Sequence, residues 1–127
     1  MNEDRILGCL LGLAVGDALG TAVEFQARDS FPPVTDMVGG GVFDLAPGQW
    51  TDDTSMALCI AASLTETGAY DPRDQLARFV RWYRDGYLSS TGRCFDIGNQ
   101  TRVALEEFEI TGEPYREAVG GMSAGNG

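Results

Sequence analysis

Apolar residues recur at helical spacing along most of this 127-residue chain. No stretch alternates convincingly between apolar and polar positions, as the strands of a half-exposed sheet would. The pattern predicts an all-α fold, and no repeat, low-complexity tract or linker divides it into separate domains. Four helices are predicted over residues 4–22, 51–67, 72–84 and 99–110, with a short fifth that begins near Pro114.

The ends and apolar faces of the second and third helices can be read from the pattern. Gly68 is expected to end the second helix, and Asp71, directly before a proline, to be the N-cap of the third. The apolar face of the second helix consists of Met56, Ile60 and Leu64. The third carries a stripe at i, i+3, i+4 and i+7, formed by Leu76, Phe79, Val80 and Tyr83.

Glycines recur every four residues along the first predicted helix and form one smooth stripe. Each interior glycine costs up to about 1 kcal/mol relative to alanine. We therefore expect close packing against another backbone, in the centre of a helical protein, as the compensation. Asp17 lies beside this stripe and is expected to be a buried or site-facing carboxylate that accepts backbone hydrogen bonds. The stripe consists of Gly8, Gly12, Gly16 and Gly20.

The same segment, from Ile6 to Val23, is apolar enough and long enough to cross a membrane. Asp17 in its middle and the lack of cationic flanks argue against a membrane span. The net negative start of the chain argues against a secretory signal. We therefore expect no membrane association.

Composition narrows the possible chemistry. Nine basic residues against nineteen acidic ones give a net charge of −10, which disfavours nucleic acid as a partner. The absence of histidine excludes Ser-His-Asp and Cys-His catalysis and most zinc enzymes. Acid and base chemistry then falls to carboxylates or metal-bound water. Cys9, Cys59 and Cys94 lack paired spacing, so we expect buried free thiols in a reducing compartment and a cytoplasmic protein.

The stretch Thr51-Asp52-Asp53-Thr54 stands at the start of the second predicted helix. Oxygen donors at this density suit Mg²⁺, Mn²⁺ or Ca²⁺. The same residue types are also favoured as helix caps, because they accept unpaired first-turn N–H groups and their charge is stabilised by the helix dipole. The residues alone leave both interpretations open.

Three further segments have candidate chemistry. Residues 26–50 form a long run of turn residues, and such loops are often functional. Glu24 before it and Asp96 after the third helix are candidate acids, the alternatives being a solvated helix-end residue and a cap of the fourth helix. The final glycine-rich run, Gly120 to Gly127, is either a phosphate-binding segment or a frayed terminus.

Taken in order, four motifs resemble the N-terminal part of the ADP-ribosylglycohydrolase family, over essentially the whole chain. They are Gly-Asp-Ala-Leu-Gly at 16–20, Glu24, Gly-Gln-Trp-Thr-Asp-Asp-Thr at 48–54 and Gly-Arg-Cys-Phe-Asp-Ile-Gly-Asn at 92–99. The resemblance implies an orthogonal bundle of α-helices whose cleft holds two divalent cations, Mg²⁺ or Mn²⁺. It also implies hydrolysis of the glycosidic bond between ADP-ribose and a protein side chain, most often arginine, or within a small ADP-ribose conjugate.

The resemblance also implies roles for individual residues. Thr51, Asp52 and Asp53 match metal ligands. Asp96 and Glu24 match acidic residues beside the ribose and the metals, and they are the candidate catalytic residues. Four residues match the start of a segment that holds the ADP-ribose phosphates. They are the substrate-binding candidates Ser123, Gly125, Asn126 and Gly127.

In this family a second acidic cluster, Asp-x-Asp-Asp followed by Thr or Ser, completes the metal site. Residues 1–127 lack it and are expected to be the N-terminal part of one domain that supplies half of the site. A C-terminal segment or a second chain would supply the other half. The alternatives are a non-catalytic ADP-ribose-binding or crystallin-like structural member, or an inactive fragment that self-associates through the face left uncovered.

Overall fold

The computed structural model describes residues 3–115. They contain no β-strand, only an isolated bridge between Gly40 and Leu45, so the all-α prediction is confirmed. A 3₁₀ turn, Thr21–Val23, continues the first helix. The fifth helix predicted near Pro114 falls largely outside the described residues. The helices are α1 (Glu3–Gly20), α2 (Asp52–Thr67), α3 (Pro72–Asp85) and α4 (Asn99–Thr111).

The helix ends follow local sequence signals. The Asp71 side chain caps α3 by accepting the N–H groups of Arg73 at 3.0 Å and Asp74 at 3.1 Å, as predicted. Gly68 ends α2 with a left-handed φ of 70°, and its N–H donates to the Leu64 carbonyl. These contacts join residues close together in the chain, which is why the pattern predicted them well.

The helices pack in chain order, with α2 against both α1 and α3, and α3 against α4. The predicted apolar face of α2 is not the buried one, because Ile60 and Leu64 remain 39% and 44% exposed. The buried positions on α2 are Thr54 in its first turn and, on a face beside the apolar one, Ser55, Cys59 and Ser63. Small side chains let a neighbouring helix approach closely, and hydrophobicity alone did not identify this face.

Helix α1 is the least covered element of the described chain. Leu7, Leu11 and Val15 are 57%, 62% and 50% exposed. A Cβ added at any glycine of its stripe would meet nothing within 4 Å. The expected close packing of the stripe is therefore absent among residues 3–115, because no element within that range lies against it.

Helix α1 and the 3₁₀ turn together, Glu3–Val23, are long and apolar enough to cross a membrane by length and composition alone. A core helix of a soluble protein meets the same criterion. The expectation that this helix packs in protein rather than lipid therefore stays a prediction.

The three cysteines are free, but they differ in exposure. Cys59 is buried and Cys94 is half-buried, whereas Cys9 is exposed on α1, so the expectation of a buried thiol is wrong there. Burial raises the pKa of both Cys59 and Cys94 to about 11, which keeps these thiols protonated and unreactive near neutral pH.

A buried arginine joins α2 to α3. The Arg78 side chain is 8% exposed and pairs with Asp74 at 2.6 Å and with Glu66 at 2.8 Å. Its guanidinium also donates to the Tyr87 hydroxyl at 3.4 Å. The hydrogen bonds from Arg78 lower the pKa of both carboxyl groups. This network ties the last turn of α2 to the first half of α3.

Replacing Arg78 with methionine is expected to lower the thermal unfolding midpoint by about 5 °C or more, because it removes a buried charge that two acids surround. The matched control is Arg84→Met, which breaks the exposed pair with Glu109 and should cost less than about 2 °C. Since the pKa values of Asp74 and Glu66 are lowered, the Arg78 contribution is present above about pH 5 and fades as acid protonates both groups. Equal losses in both variants at neutral pH would contradict the prediction.

Candidate functional site

A carboxylate on α1 holds the start of α2. Asp17 Oδ1 accepts hydrogen bonds from the backbone N–H of Thr51 at 3.0 Å and from its hydroxyl at 2.8 Å. Asp17 Oδ2 accepts from the N–H of Thr54 at 3.1 Å and from its hydroxyl at 2.6 Å. The prediction that Asp17 accepts backbone hydrogen bonds is confirmed. Its partners on another helix were not predictable from the local pattern.

This contact corrects the interpretation of Thr51 as a helix cap. Thr51 occupies the N-cap position of α2, but its side chain makes no capping hydrogen bond. The N–H of Thr54, which an N-cap side chain usually satisfies, is bound by Asp17 instead. A carboxylate is a stronger acceptor than a hydroxyl, so Asp17 takes the capping role and Thr51 becomes a donor to it.

Four carboxylates from three separate segments share one neighbourhood. Asp52 and Asp53 begin α2, Glu24 follows the 3₁₀ turn, and Asp96 lies in the loop before α4. Burial, then the charges of Asp96 and Asp53, raise the pKa of Asp52 to about 6. This mutual repulsion shows that the acidic residues singled out in the sequence come together.

Glu24 and Asp96 form a hydrogen-bonded pair. Burial, the charge of Asp96 and the hydrogen bond to it raise the pKa of Glu24 to about 7. Burial also raises the pKa of Asp96, but the hydrogen bond from Glu24 works in the opposite direction. Glu24 is therefore the member of the pair that holds a proton, and it is half-buried rather than solvated. Nor is Asp96 the cap of α4, because Gly98 occupies that position.

Hydrogen bonds between two loops bring Asp96 towards the start of α2. The Gln49 side-chain amide donates to the Ser90 carbonyl at 3.0 Å. The Ser90 hydroxyl donates to the Trp50 carbonyl at 2.5 Å, and the Trp50 indole N–H donates to the Leu88 carbonyl at 3.4 Å. Sequence reasoning missed Gln49 and Ser90, since neither residue type marks a long-range contact.

Aromatic rings connect the same loops. The Phe43 ring lies 5.2 Å from the Phe95 ring and 6.3 Å from the Phe25 ring, between centroids. Phe25 directly follows Glu24, and Phe95 directly precedes Asp96. Phe95 and Trp50 are both half-buried.

The long loop is ordered by one close approach to the 3₁₀ turn. A Cβ at Gly41, where φ is +68°, would lie 2.2 Å from the Thr21 carbonyl oxygen. Only glycine tolerates both that distance and that backbone conformation. The loop expected to lack regular structure therefore contains turns and is fixed beside the acidic residues.

A cavity of about 490 Å³ opens between α1 and the start of α2. Glycines of the α1 stripe form one side of it, and Glu24, Thr51 and Asp53 form the other. The cavity therefore lies between the glycine stripe and the start of α2, two features that the sequence analysis treated separately. Its lining includes Gly12, Gly16, Asp17, Gly20, Glu24, Thr51 and Asp53.

The donor chemistry of this cavity suits a hard cation, because every candidate ligand is an oxygen and the carboxylates repel one another. Within residues 3–115, however, no three acidic or thiol side chains converge closely enough to hold an ion by themselves. Thr51, Asp52 and Asp53 therefore stay candidates for part of a metal site. The predicted substrate-binding residues lie outside the described part of the chain: Ser123, Gly125, Asn126 and Gly127.

Comparison with known proteins identifies the same family as the sequence motifs do. A family model described as ADP-ribosylglycohydrolase matches residues 1–127. An "ADP-ribosylarginine hydrolase Tri1" of Serratia proteamaculans is 53% identical over 123 residues, covering 97% of this chain and 33% of that protein. An "ADP-ribosyl-[dinitrogen reductase] glycohydrolase" of Rhodospirillum rubrum is 39% identical over 132 residues, covering 98% of this chain and 41% of that protein.

A solved structure described as "ADP-ribosylglycohydrolase-related protein complex" superposes with a TM-score of 0.73 at 51% sequence identity. The match covers 87% of this chain and 35% of that one. The chain spans about a third of the length of the two similar proteins named ADP-ribosylarginine hydrolase Tri1.

Proposed function

Because this chain belongs to the ADP-ribosylglycohydrolase family, we propose that the protein carrying it hydrolyses the glycosidic bond between ADP-ribose and a protein side chain. Arginine is the first candidate for that side chain, and a small ADP-ribose conjugate is the second. The observation that carries the proposal is the meeting of Glu24, Asp52 and Asp96, next to a cavity that Glu24 and Asp53 line. The 53% identity to a protein named ADP-ribosylarginine hydrolase supports arginine.

Thr51, Asp52 and Asp53 are proposed to hold two divalent cations, Mg²⁺ or Mn²⁺, together with acidic residues from a C-terminal segment or a second chain. When bound, such ions polarise water or ribose hydroxyls and stabilise negative charge. The raised pKa of Asp52 supports this assignment, because a cation would offset both the burial and the repulsion that raise it.

Cleavage of an N-glycosidic bond develops positive charge at the anomeric carbon and requires a nucleophilic water. In the absence of histidine, a carboxylate must accept the proton of that water. Asp96 is the first candidate for this role, because the proton of the pair lies on Glu24 and Asp96 is then the ionised carboxylate that can accept another. Glu24 is proposed to keep Asp96 in place through their hydrogen bond, and it is the alternative base.

The exposed glycine stripe and apolar face of α1 support the proposal that further protein covers this helix. The covering part is proposed to be the C-terminal segment or second chain that completes the metal site. Self-association through the same face is the alternative for the 127-residue chain alone. The phosphate-binding role of the segment from Ser123 to Gly127 remains part of the proposal.

The test is an assay of ADP-ribose release from an ADP-ribosylated arginine peptide by the full-length protein, with Mg²⁺, with Mn²⁺ and with chelator. We expect chelation to lower the rate by about a hundredfold or more, and added metal to restore it, since bound ions supply several kcal/mol of charge stabilisation. A serine-linked peptide and a small O-linked conjugate are the comparison substrates. Binding of ADP-ribose without release from any of them would overturn the proposal in favour of the non-catalytic alternative.

A further inference from the structure

Thr51 occupies a position at which two demands compete. As the residue at the N-cap position of α2, its hydroxyl oxygen would ordinarily turn towards the N–H of Thr54. As a metal ligand, the same oxygen must direct a lone pair into the cavity. A hydroxyl oxygen has two lone pairs, and one that accepts the N–H of Thr54 is lost to an ion.

The contacts of Asp17 remove this conflict. Its carboxylate satisfies the N–H of Thr54 at 3.1 Å, so Thr51 is not needed as a cap. It also accepts the hydroxyl proton of Thr51 at 2.8 Å. Thr51 is only 4% exposed, so water competes poorly for that proton. A hydroxyl has one proton and two lone pairs, and once the proton is bound to Asp17 only lone pairs remain for a ligand.

We propose that Asp17 is a positioning residue for the cation site: it accepts the proton of the Thr51 hydroxyl and so orients that oxygen as a lone-pair donor. The inference rests on the proposed function, because it assumes that Thr51 binds a divalent cation. Asp17 itself does not touch the ion or the substrate in this arrangement. Groups that hydrogen-bond to metal ligands in this way commonly change metal affinity ten- to a hundredfold when removed.

The test is a double-mutant cycle in the full-length protein, with Mn²⁺ alone as the probe and its affinity measured by calorimetry or electron paramagnetic resonance. Asp17→Asn should weaken Mn²⁺ binding by about tenfold or more, because an amide oxygen replaces only part of the acceptor set. In a Thr51→Val background the same change should weaken binding less than about threefold, because its target hydroxyl is gone. Equal effects in both backgrounds, or none in either, would overturn the inference.

Two controls separate positioning from general stability. Arg78→Met is expected to destabilise the fold without altering Mn²⁺ affinity, since Arg78 lies in the ion network between α2 and α3. If it weakens Mn²⁺ binding as much as Asp17→Asn does, then Asp17 acts only through stability. Thr54→Val removes the other hydroxyl that Asp17 accepts and should leave Mn²⁺ affinity within about threefold.

A structure of the unaltered protein with Mn²⁺ bound keeps the inference testable if Asp17→Asn does not fold. Thr51 Oγ1 should then contact the ion while still donating to Asp17. Rotation of Thr51 away from Asp17 would overturn the inference and leave the proposed function standing. A wild-type protein that binds no Mn²⁺ or Mg²⁺ and releases no ADP-ribose would instead sink the proposed function, and the inference with it.

Discussion

Replacing Asp52 and Asp53 together with asparagine should lower kcat/KM for an ADP-ribosylated arginine peptide by about a thousandfold or more. Both residues are proposed to hold the cations, and losing several kcal/mol of charge stabilisation corresponds to a change of this size. Mn²⁺ affinity should fall in parallel. The measurement is steady-state hydrolysis with saturating metal, together with Mn²⁺ titration of the same preparations.

The thermal unfolding midpoint distinguishes loss of the metal site from misfolding. The pKa of Asp52 is raised from 3.8 to about 6, so ionising it lowers the stability of the folded protein, and this cost is fully present above about pH 6. The metal-free double variant should therefore have an unfolding midpoint at pH 8 at least as high as that of the wild type. The matched control is Asp29→Asn with Asp85→Asn, which also removes two carboxylates but from exposed positions. Retained hydrolysis after the Asp52 and Asp53 changes would remove the metal assignment.

Asp96→Asn should lower kcat by about a hundred- to ten-thousandfold and change KM little, because it removes a general base while leaving the shape of the site unchanged. Glu24→Gln should have a smaller effect, of about ten- to a hundredfold, because glutamine keeps a hydrogen-bond donor towards Asp96. Single-turnover kinetics at saturating substrate would separate this chemical step from product release.

The control for Asp96→Asn is Asp44→Asn. Asp96 and Asp44 both have a left-handed φ, of 53° and 52°, and asparagine tolerates that conformation as well as aspartate does. Asp44 is exposed, so its loss should leave kcat unchanged. If Glu24→Gln abolished turnover while Asp96→Asn retained it, the two proposed roles would be exchanged.

Local features of the fold were predicted well because they depend on nearby residues. The N-cap at Asp71 and the stop at Gly68 involve hydrogen bonds within a few residues, and both were confirmed. The burial of faces was predicted less well. Ile60 and Leu64 form an apolar face on α2 that stays partly exposed, since burial depends on what packs against a helix and not on the helix itself.

The candidate site was also predicted only in part from the sequence. Residue types and their order were enough to single out Thr51, Asp52, Asp53, Glu24 and Asp96 as candidates. The sequence could not show that Glu24 and Asp96 share a hydrogen bond, because their pKa values depend on burial and on charges brought from distant segments. Nor could it show that Gln49 and Ser90 join the two loops that carry the acids.

By itself, the sequence determined the helices, most of their ends and the oxygen-rich chemistry of a chain without histidine. These properties follow from backbone propensity, capping and composition, none of which depends on contacts between helices. Only the tertiary structure decided that Asp17 on α1 takes over the cap of α2 and accepts the proton of the Thr51 hydroxyl. That division of roles needs two helices in contact, and the two residues meet only when the chain has folded.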